Sequence, residues 1–198
     1  SESEKFAGGK ETYAIEALMP DGKALQAATS HNLGQNFSKP FAIKFQNKEG
    51  KEDFVWQTSW GLSTRSLGGL FLTHGDDNGL ILPPNIAPVQ VVVIPIHKIG
   101  ADQKILASYC QDIREALKNG GVRVRVDDRD EPSVGRRFNE WEVKGVPLRF
   151  EVGSKEVADR TVTIARRDTG KKTTVGRDEM LVITEKLLKD IQGALFQK

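Results

Sequence analysis

The chain is short of the residues that would tie it to disulfides, metals or membranes. Cys110 is its only cysteine in 198 residues, which excludes an intrachain disulfide and a cysteine-built zinc site. No apolar run approaches a bilayer span, and the opening Ser-Glu-Ser-Glu-Lys has neither secretory nor transit character, so no membrane association and a cytoplasmic location are expected. Net charge is nearly absent. The 29 Lys and Arg against 27 Asp and Glu leave +2, so any nucleic-acid surface must come from local clustering. Internal repeats and low-complexity segments are also lacking. What is there, 38% hydrophobic and 28% charged, suits a soluble globular protein of one large domain or two small ones.

Two rhythms divide the chain. Residues 1–86 read as consecutive strands: 13–19, the turn Pro20-Asp21-Gly22, 25–31, a short strand at 41–45, and a long one at 54–65. In that last strand Phe54, Trp56, Thr58, Trp60 and Leu62 alternate with Val55, Gln57, Ser59, Gly61, Ser63 and Arg65. The bulky face suits a core. The other is a small, polar trough with a guanidinium at its lip, suited to a phosphate or carboxylate. If residues 67–72 are helical, their free N–H groups open beside Arg65 and add to an anion site. Thr29 and His31 share a face of their strand. Gln26 has the opposite parity, so either the strand bends near Ala27-Ala28 or Gln26 serves elsewhere.

The proline-rich link 83–88 is a stiff boundary, and residues 87–198 then follow the order β-α-β-α-β-β-α. An unbroken apolar strand at 89–96 leads to a helix at 101–119 that Gly120-Gly121 closes. Ser133 is placed to cap a second helix running to Lys144, and a third covers 177–195. His74, Asp76 and Asp77 are too close in sequence to converge on a metal, and Asp-Asp-Asn-Gly is turn chemistry, so no metal site is expected.

Four blocks, in order, carry a resemblance to a known family: Thr29-Ser30-His31-Asn32-Leu33-Gly34-Gln35-Asn36-Phe37; Ser59-Trp60-Gly61-Leu62-Ser63-Thr64-Arg65; His74-Gly75-Asp76-Asp77-Asn78-Gly79-Leu80-Ile81-Leu82-Pro83-Pro84; and Asp127-Asp128-Arg129-Asp130-Glu131 followed by Phe138-Asn139-Glu140-Trp141-Glu142-Val143-Lys144-Gly145-Val146-Pro147. Together they resemble prolyl-tRNA synthetase over about residues 5–165. The resemblance implies an α+β and α/β protein. Residues 1–86 would be the C-terminal part of a class II synthetase catalytic domain on an antiparallel sheet. Residues 87–198 would be an α/β anticodon-binding domain with a mixed, mainly parallel sheet.

By the same resemblance Arg65 is the catalytic arginine on the ATP γ-phosphate, with Gln26, Thr29 and Ser63 also at the ATP site. His31, Trp60 and Gly61 line the proline pocket. Arg129, Phe138, Glu140, Lys144 and Arg149 are the tRNA-facing candidates of the distal domain, in a stretch where basic and acidic residues interleave around aromatics. Arg160, Arg166, Arg167, Lys171 and Lys172 form a solvated rim or contact the RNA backbone. Implied partners are L-proline, tRNA(Pro) and, for a full-length enzyme, a second copy in a homodimer. Implied cofactors are ATP and magnesium, the latter with ligands outside this stretch. Residues 1–24 carry nothing like the family's first two signature motifs. The competing expectation is therefore a truncated or standalone paralogue that binds tRNA without chemistry.

Overall fold

Pro20-Asp21-Gly22 makes the first fold-defining turn. The Met19 N–H donates to the Lys23 carbonyl (2.9 Å), the Lys23 N–H to the Asp21 carboxylate (3.1 Å), and Gly22 adopts a φ of 79°. The computed structural model describes residue 3 and residues 5–96 and 103–197. Around this turn β1 (Glu11–Leu18) pairs antiparallel with β2 (Ala24–Gly34), and β2 pairs antiparallel with β5 (Gln57–Leu62). The three strands form one sheet in the order β1-β2-β5.

The single strand expected over 54–65 is split. Its first residue, Phe54, belongs to β4 (Glu52–Phe54), which pairs with β3 (Lys44–Gln46) in a separate two-stranded sheet, while β5 pairs with β2. One segment cannot serve two sheets without a break, and it falls at 55–56. The strand expected at 41–45 also shrinks. Residues 41–43 are held in successive turns, with Ala42 at a φ of 53°, and only from Lys44 is the chain extended. Arg65 is not a strand residue at all. It opens helix α1 (Arg65–His74), so the segment 67–72 is helical.

The bulky face of β5 does not join a core here: Trp60 is 80% exposed and Leu62 76%. Helix α1 approaches only the end of that face, at Leu25. Gly69 makes that approach possible, since a Cβ there would lie 2.6 Å from Leu25.

Contacts divide the chain into two compact units, Ser1–Thr73 and His74–Lys198. The prolines at 83, 84 and 88, expected at a boundary between 86 and 87, are tied into the second unit. The Arg123 guanidinium donates to the carbonyls of Pro84 (2.6 Å) and Ala87 (2.8 Å).

The second unit is organised by β6 (Val91–Pro95), buried at every residue, as the unbroken apolar run requires. It lies in a five-stranded sheet with β7 (Val124–Val126), β8 (Leu148–Val152), β9 (Thr161–Arg166) and β10 (Lys172–Gly176), in the order β10-β9-β8-β6-β7. The pairings β6–β7 and β6–β8 are parallel, β8–β9 and β9–β10 antiparallel, so the sheet is mixed.

One sheet face packs on α2 (Gln103–Asn119) and α5 (Met180–Gln197) through Val91, Val93, Phe150 and Ile164 against Ile113, Leu117, Met180 and Ile191. Fully burying each such side chain contributes about 1.5–3 kcal/mol. The first two residues of the expected 101–119 helix lie outside the described residues. Cys110 sits in this core, and burial pushes its thiol up to about 12, so it is an inert packing residue.

The other face carries α3 (Val134–Val143), packed through Trp141 on Val92, Ile94 and Val146. Ser133 stands at the N-cap of α3, as expected, but its hydroxyl makes no capping bond. A short helix, α4 (Ser154–Asp159), was not legible from the sequence. It ends at Arg160 in the left-handed region, φ 51°.

Candidate functional site

In the first unit, register decides which side chains meet. Thr12, Ala14 and Glu16 alternate regularly along β1 and stand opposite His31, Thr29 and Gln26. Directly opposed residues share a face, so these three β2 residues do too. This is possible because Ala28 pairs with Ile15 while Gln26 pairs with Glu16, leaving Ala27 as an extra bulged residue. The bend at Ala27-Ala28 is real, and it removes the parity conflict for Gln26. Across β5, His31 stands opposite Ser59 and Thr29 opposite Gly61, which adds the small-residue floor to the same face.

Arg65 closes this trough. Its Nη1–H donates to Gln26 Oε1 (3.2 Å) and its backbone N–H to Ser63 Oγ (3.3 Å). The Ser66 hydroxyl donates to the carbonyl of the bulged Ala27 (3.2 Å), pinning the start of α1 to β2. The N–H groups expected to stand free there are taken up, those of Ser66 and Leu67 by the Ser63 and Thr64 carbonyls (both 3.0 Å), but the first turn of α1 holds no acidic residue, so the helix dipole and the guanidinium make one electropositive corner. Gln26, Thr29, Gly61, Ser63 and Arg65 line an open groove of about 310 Å³ there.

His31 is oriented by Thr12, whose Oγ1 lies 2.9 Å from its Nδ1, and by the Phe6 ring at 5.1 Å. Thr12 was missed from the sequence, because without the bulge it would face Ser30. Trp60 does not join the set. Its residue stands opposite Ser30, and its ring lies across the sheet with Tyr13, Ile15 and Leu62. Only its backbone reaches the face of His31 and Gly61.

In the second unit, α3 covers β6 and β7 and leaves the β8–β9–β10 half of its sheet face open. Arg149, Glu151, Thr163, Ala165, Lys172 and Thr174 share that half by register. Glu151 holds the two cations, accepting from Arg149 (3.0 Å) and Lys172 (2.8 Å). Both also sit over Phe138, at 4.2 and 5.9 Å from its ring. Trp141 carries Lys144 at 4.6 Å and Arg125 at 5.5 Å. Between the two aromatic clusters a cavity of about 130 Å³ is lined by Trp141, Glu142, Arg149, Arg166 and Arg167.

Arg129 and Glu140 are engaged with the protein itself. The buried Asp127 carboxylate accepts both Arg129 donors (2.7 and 2.8 Å) and the Trp141 Nε1–H (2.6 Å), and Arg129 also donates to Glu140 (2.9 Å). The Arg129 guanidinium first, then the indole N–H, hold the Asp127 carboxyl down at about 2 against burial. Glu140 is lowered by the same guanidinium. These residues brace α3, and the accessible chemistry falls to Phe138, Lys144, Arg149 and the unanticipated Arg125 and Lys172, with the nearly buried Glu151 holding Arg149 and Lys172 from beneath.

Residues 90–187 match the anticodon binding domain family. The whole chain is 48% identical to the proline–tRNA ligase of Amoebophilus asiaticus and 50% to that of Cytophaga hutchinsonii, covering 40% of each. Along its whole length the chain is similar to prolyl-tRNA synthetases. Its fold agrees with the crystal structure of prolyl-tRNA synthetase from Cryptosporidium parvum complexed with halofuginone and AMPPNP, with a TM-score of 0.84 and 46% identity over 98% of this chain and 40% of that one. It thus spans about two-fifths of the length of the prolyl-tRNA synthetases it matches. The anticodon-binding match begins just before β6, so the groove at Arg65 lies upstream of that domain and the open half-sheet within it.

Proposed function

We propose that the chain carries the ATP γ-phosphate and proline contacts, together with the anticodon-binding domain, of an ATP-dependent proline–tRNA ligase. The observation that carries this is the common face: the bulge at Ala27 aligns Gln26 with Thr29 and His31, and Arg65 closes the groove at Gln26. A triphosphate needs cations and donors in fixed places rather than a nucleophilic side chain. Arg65 offers a permanently charged fork at the positive end of α1, whose first turn holds no acidic residue.

In the reaction the proline carboxylate attacks the α-phosphorus of ATP, giving prolyl-adenylate and pyrophosphate, and the terminal ribose of tRNA(Pro) then takes the prolyl group. Arg65 neutralises the γ-phosphate as pyrophosphate leaves. His31, held by Thr12, faces the imino acid beside Gly61 and the Trp60 backbone. That the C. parvum relative was solved with AMPPNP supports a nucleotide in this groove. Magnesium accompanies ATP, but among the described residues no group of three His, Cys, Asp or Glu could hold a metal ion, so no step is assigned to it. The homodimer of the full-length enzyme belongs to the same proposal. No helix among the described residues is long and apolar enough to cross a membrane.

In the distal unit, splayed anticodon bases meet Phe138 and the cations around it, with base edges satisfied by Arg149 and Glu142. AMPPNP titration of the chain, followed by calorimetry, tests the groove: binding that Arg65→Ala abolishes is expected, and equal binding by both forms sinks it. Proline-dependent pyrophosphate exchange by a longer protein that includes this sequence tests the chemistry. A chain that binds tRNA(Pro) but not AMPPNP would favour a tRNA-binding paralogue without catalysis.

A further inference from the structure

The stretch 74–82 lines neither the groove nor the open half-sheet, yet it is fastened to the helix that borders the anticodon face. The Leu80 N–H donates to the Val143 carbonyl (3.0 Å) and the Leu82 N–H to the Gly145 carbonyl (3.1 Å), a two-rung ladder along the end of α3. Two glycines allow it. A Cβ on Gly79 would meet Val143 backbone at 2.5 Å, and one on Gly145, at a φ of 72°, would meet Leu80 at 2.7 Å. Arg167 holds the other side. It is 9% exposed, its Nε–H donates to the Glu142 carbonyl (3.0 Å), and its two terminal nitrogens clasp the Asp76 carboxylate, one at 2.8 Å. Asp76 is fixed in turn by the bridge Asp76–Gly79 and by the Asn78 N–H on its carboxylate (2.9 Å).

We propose that Asp76 and Arg167 are a positioning pair: they set the C-terminal end of α3, and through it Glu142 and Lys144, for reading anticodon bases, and Arg167 touches no RNA phosphate. The proposal rests on the anticodon-binding role of this unit. It differs from the expectation that Arg167 belongs to a solvated or phosphate-contacting rim. A guanidinium that spends its donors on a carboxylate and a carbonyl in a buried site has no fork left for phosphate. Arg166, one residue earlier, points its fork instead at Asp168 (2.7 and 3.0 Å).

The two roles differ in sign at Asp76. If Arg167 contacted phosphate, Asp76→Asn would release a cation and tighten RNA binding. As half of a positioning pair, Asp76→Asn loosens α3 and erodes discrimination between anticodons. The experiment measures binding of the 198-residue chain to a tRNA(Pro) transcript and to the same transcript with its anticodon replaced, across salt concentrations. For Asp76→Asn and for Arg167→Lys, the ratio of the two affinities is expected to fall roughly tenfold, with the slope of log K against log salt unchanged; loss of one phosphate contact would reduce that slope by about 1. The exchange Asp76→Arg with Arg167→Asp is expected to restore part of the ratio, which a general loss of folding would not allow. A full ratio in Arg167→Lys, tighter binding by Asp76→Asn, or a changed salt slope overturns the pair's role. If the unsubstituted chain binds both transcripts equally or neither, the anticodon-binding role itself falls.

Discussion

Gln26 and Thr29 lie on the same face of β2 although they are three positions apart, a step that puts residues on opposite faces of a regular strand. Ala27 is the cause, as the unpaired residue of a bulge that lets Gln26 stand opposite Glu16. The bulge also presents the Ala27 carbonyl to the Ser66 hydroxyl, so one irregularity orients the polar side chain and anchors the helix that bears Arg65.

This arrangement makes Gln26 an acceptor for Arg65, and a charge there should spoil an anion site. Gln26→Glu keeps shape but puts a carboxylate about one hydrogen bond from the guanidinium. Glutamate then competes with phosphate for the same donors, and AMPPNP affinity is expected to drop by about tenfold or more, equivalent to about 1.4 kcal/mol. Calorimetric titration of both forms checks it. Unchanged affinity would mean that the triphosphate does not reach Arg65.

Much of this was legible in residue patterns. The proline-aspartate-glycine turn, the buried run of β6 and the glycine stop of α2 are local signals, and each element stands where they put it. Alternation puts Thr29 with His31 on one strand and Ser59 with Gly61 on another, and only the pairing between β2 and β5 brings the two pairs onto one face. What alternation cannot encode is a bulge, so Gln26 was left open and Thr12 was missed. Nor can it say which sheet a strand will join, hence the break between β4 and β5. Arg129 and Glu140 were expected to face tRNA, from a stretch where basic and acidic residues interleave. Only the fold shows that Asp127 is buried beneath them and takes up Arg129.

That buried carboxylate should leave a signature in acid. Asp127 has a folded pKa of about 2 against an ordinary 3.8, so the folded state binds its proton less readily than the unfolded chain does. A depressed value contributes stability that is fully present above about pH 4 and is lost as pH falls through about 2. At one pKa unit per 1.36 kcal/mol, about 2 kcal/mol is at stake. Denaturant unfolding measured from pH 5 to pH 2 should show this loss. Asp127→Asn should start less stable at pH 5 and fall less steeply. Asp76, held near 2 chiefly by Arg167, supplies a second and separate component that the variant retains. Equal slopes in the two proteins would contradict the burial and pairing described for Asp127.

Two glycines with positive φ should respond differently to alanine. Gly170 turns between β9 and β10 at a φ of 67° with open space around it, so Gly170→Ala carries only the left-handed backbone cost, about 1 kcal/mol. Gly79 has a φ of 126° and Val143 backbone within 2.5 Å of the added Cβ. Since backbone cannot swing aside as a side chain does, Gly79→Ala should cost more, about 3 kcal/mol or above, and should loosen α3. Thermal or denaturant unfolding of the two variants in parallel tests the order, and a Gly79→Ala protein as stable as Gly170→Ala would remove the close approach from the account.

Glu151 restrains the cations of the open half-sheet, and its removal separates affinity from selectivity. The side chain is nearly buried and accepts from Arg149 and Lys172 while both lie against Phe138. Glu151→Gln removes one negative charge between two positive ones, so general attraction to RNA phosphates should rise and its salt dependence steepen by up to about one unit. The same change frees Arg149 from its fixed orientation, and a mobile guanidinium reads base edges less selectively. The expected outcome is tighter binding to unrelated RNA together with a smaller preference for tRNA(Pro), measured by competition at two salt concentrations. A variant that gains affinity and keeps its preference would show that Arg149 contributes charge alone, and base reading would then have to come from Phe138 and Glu142.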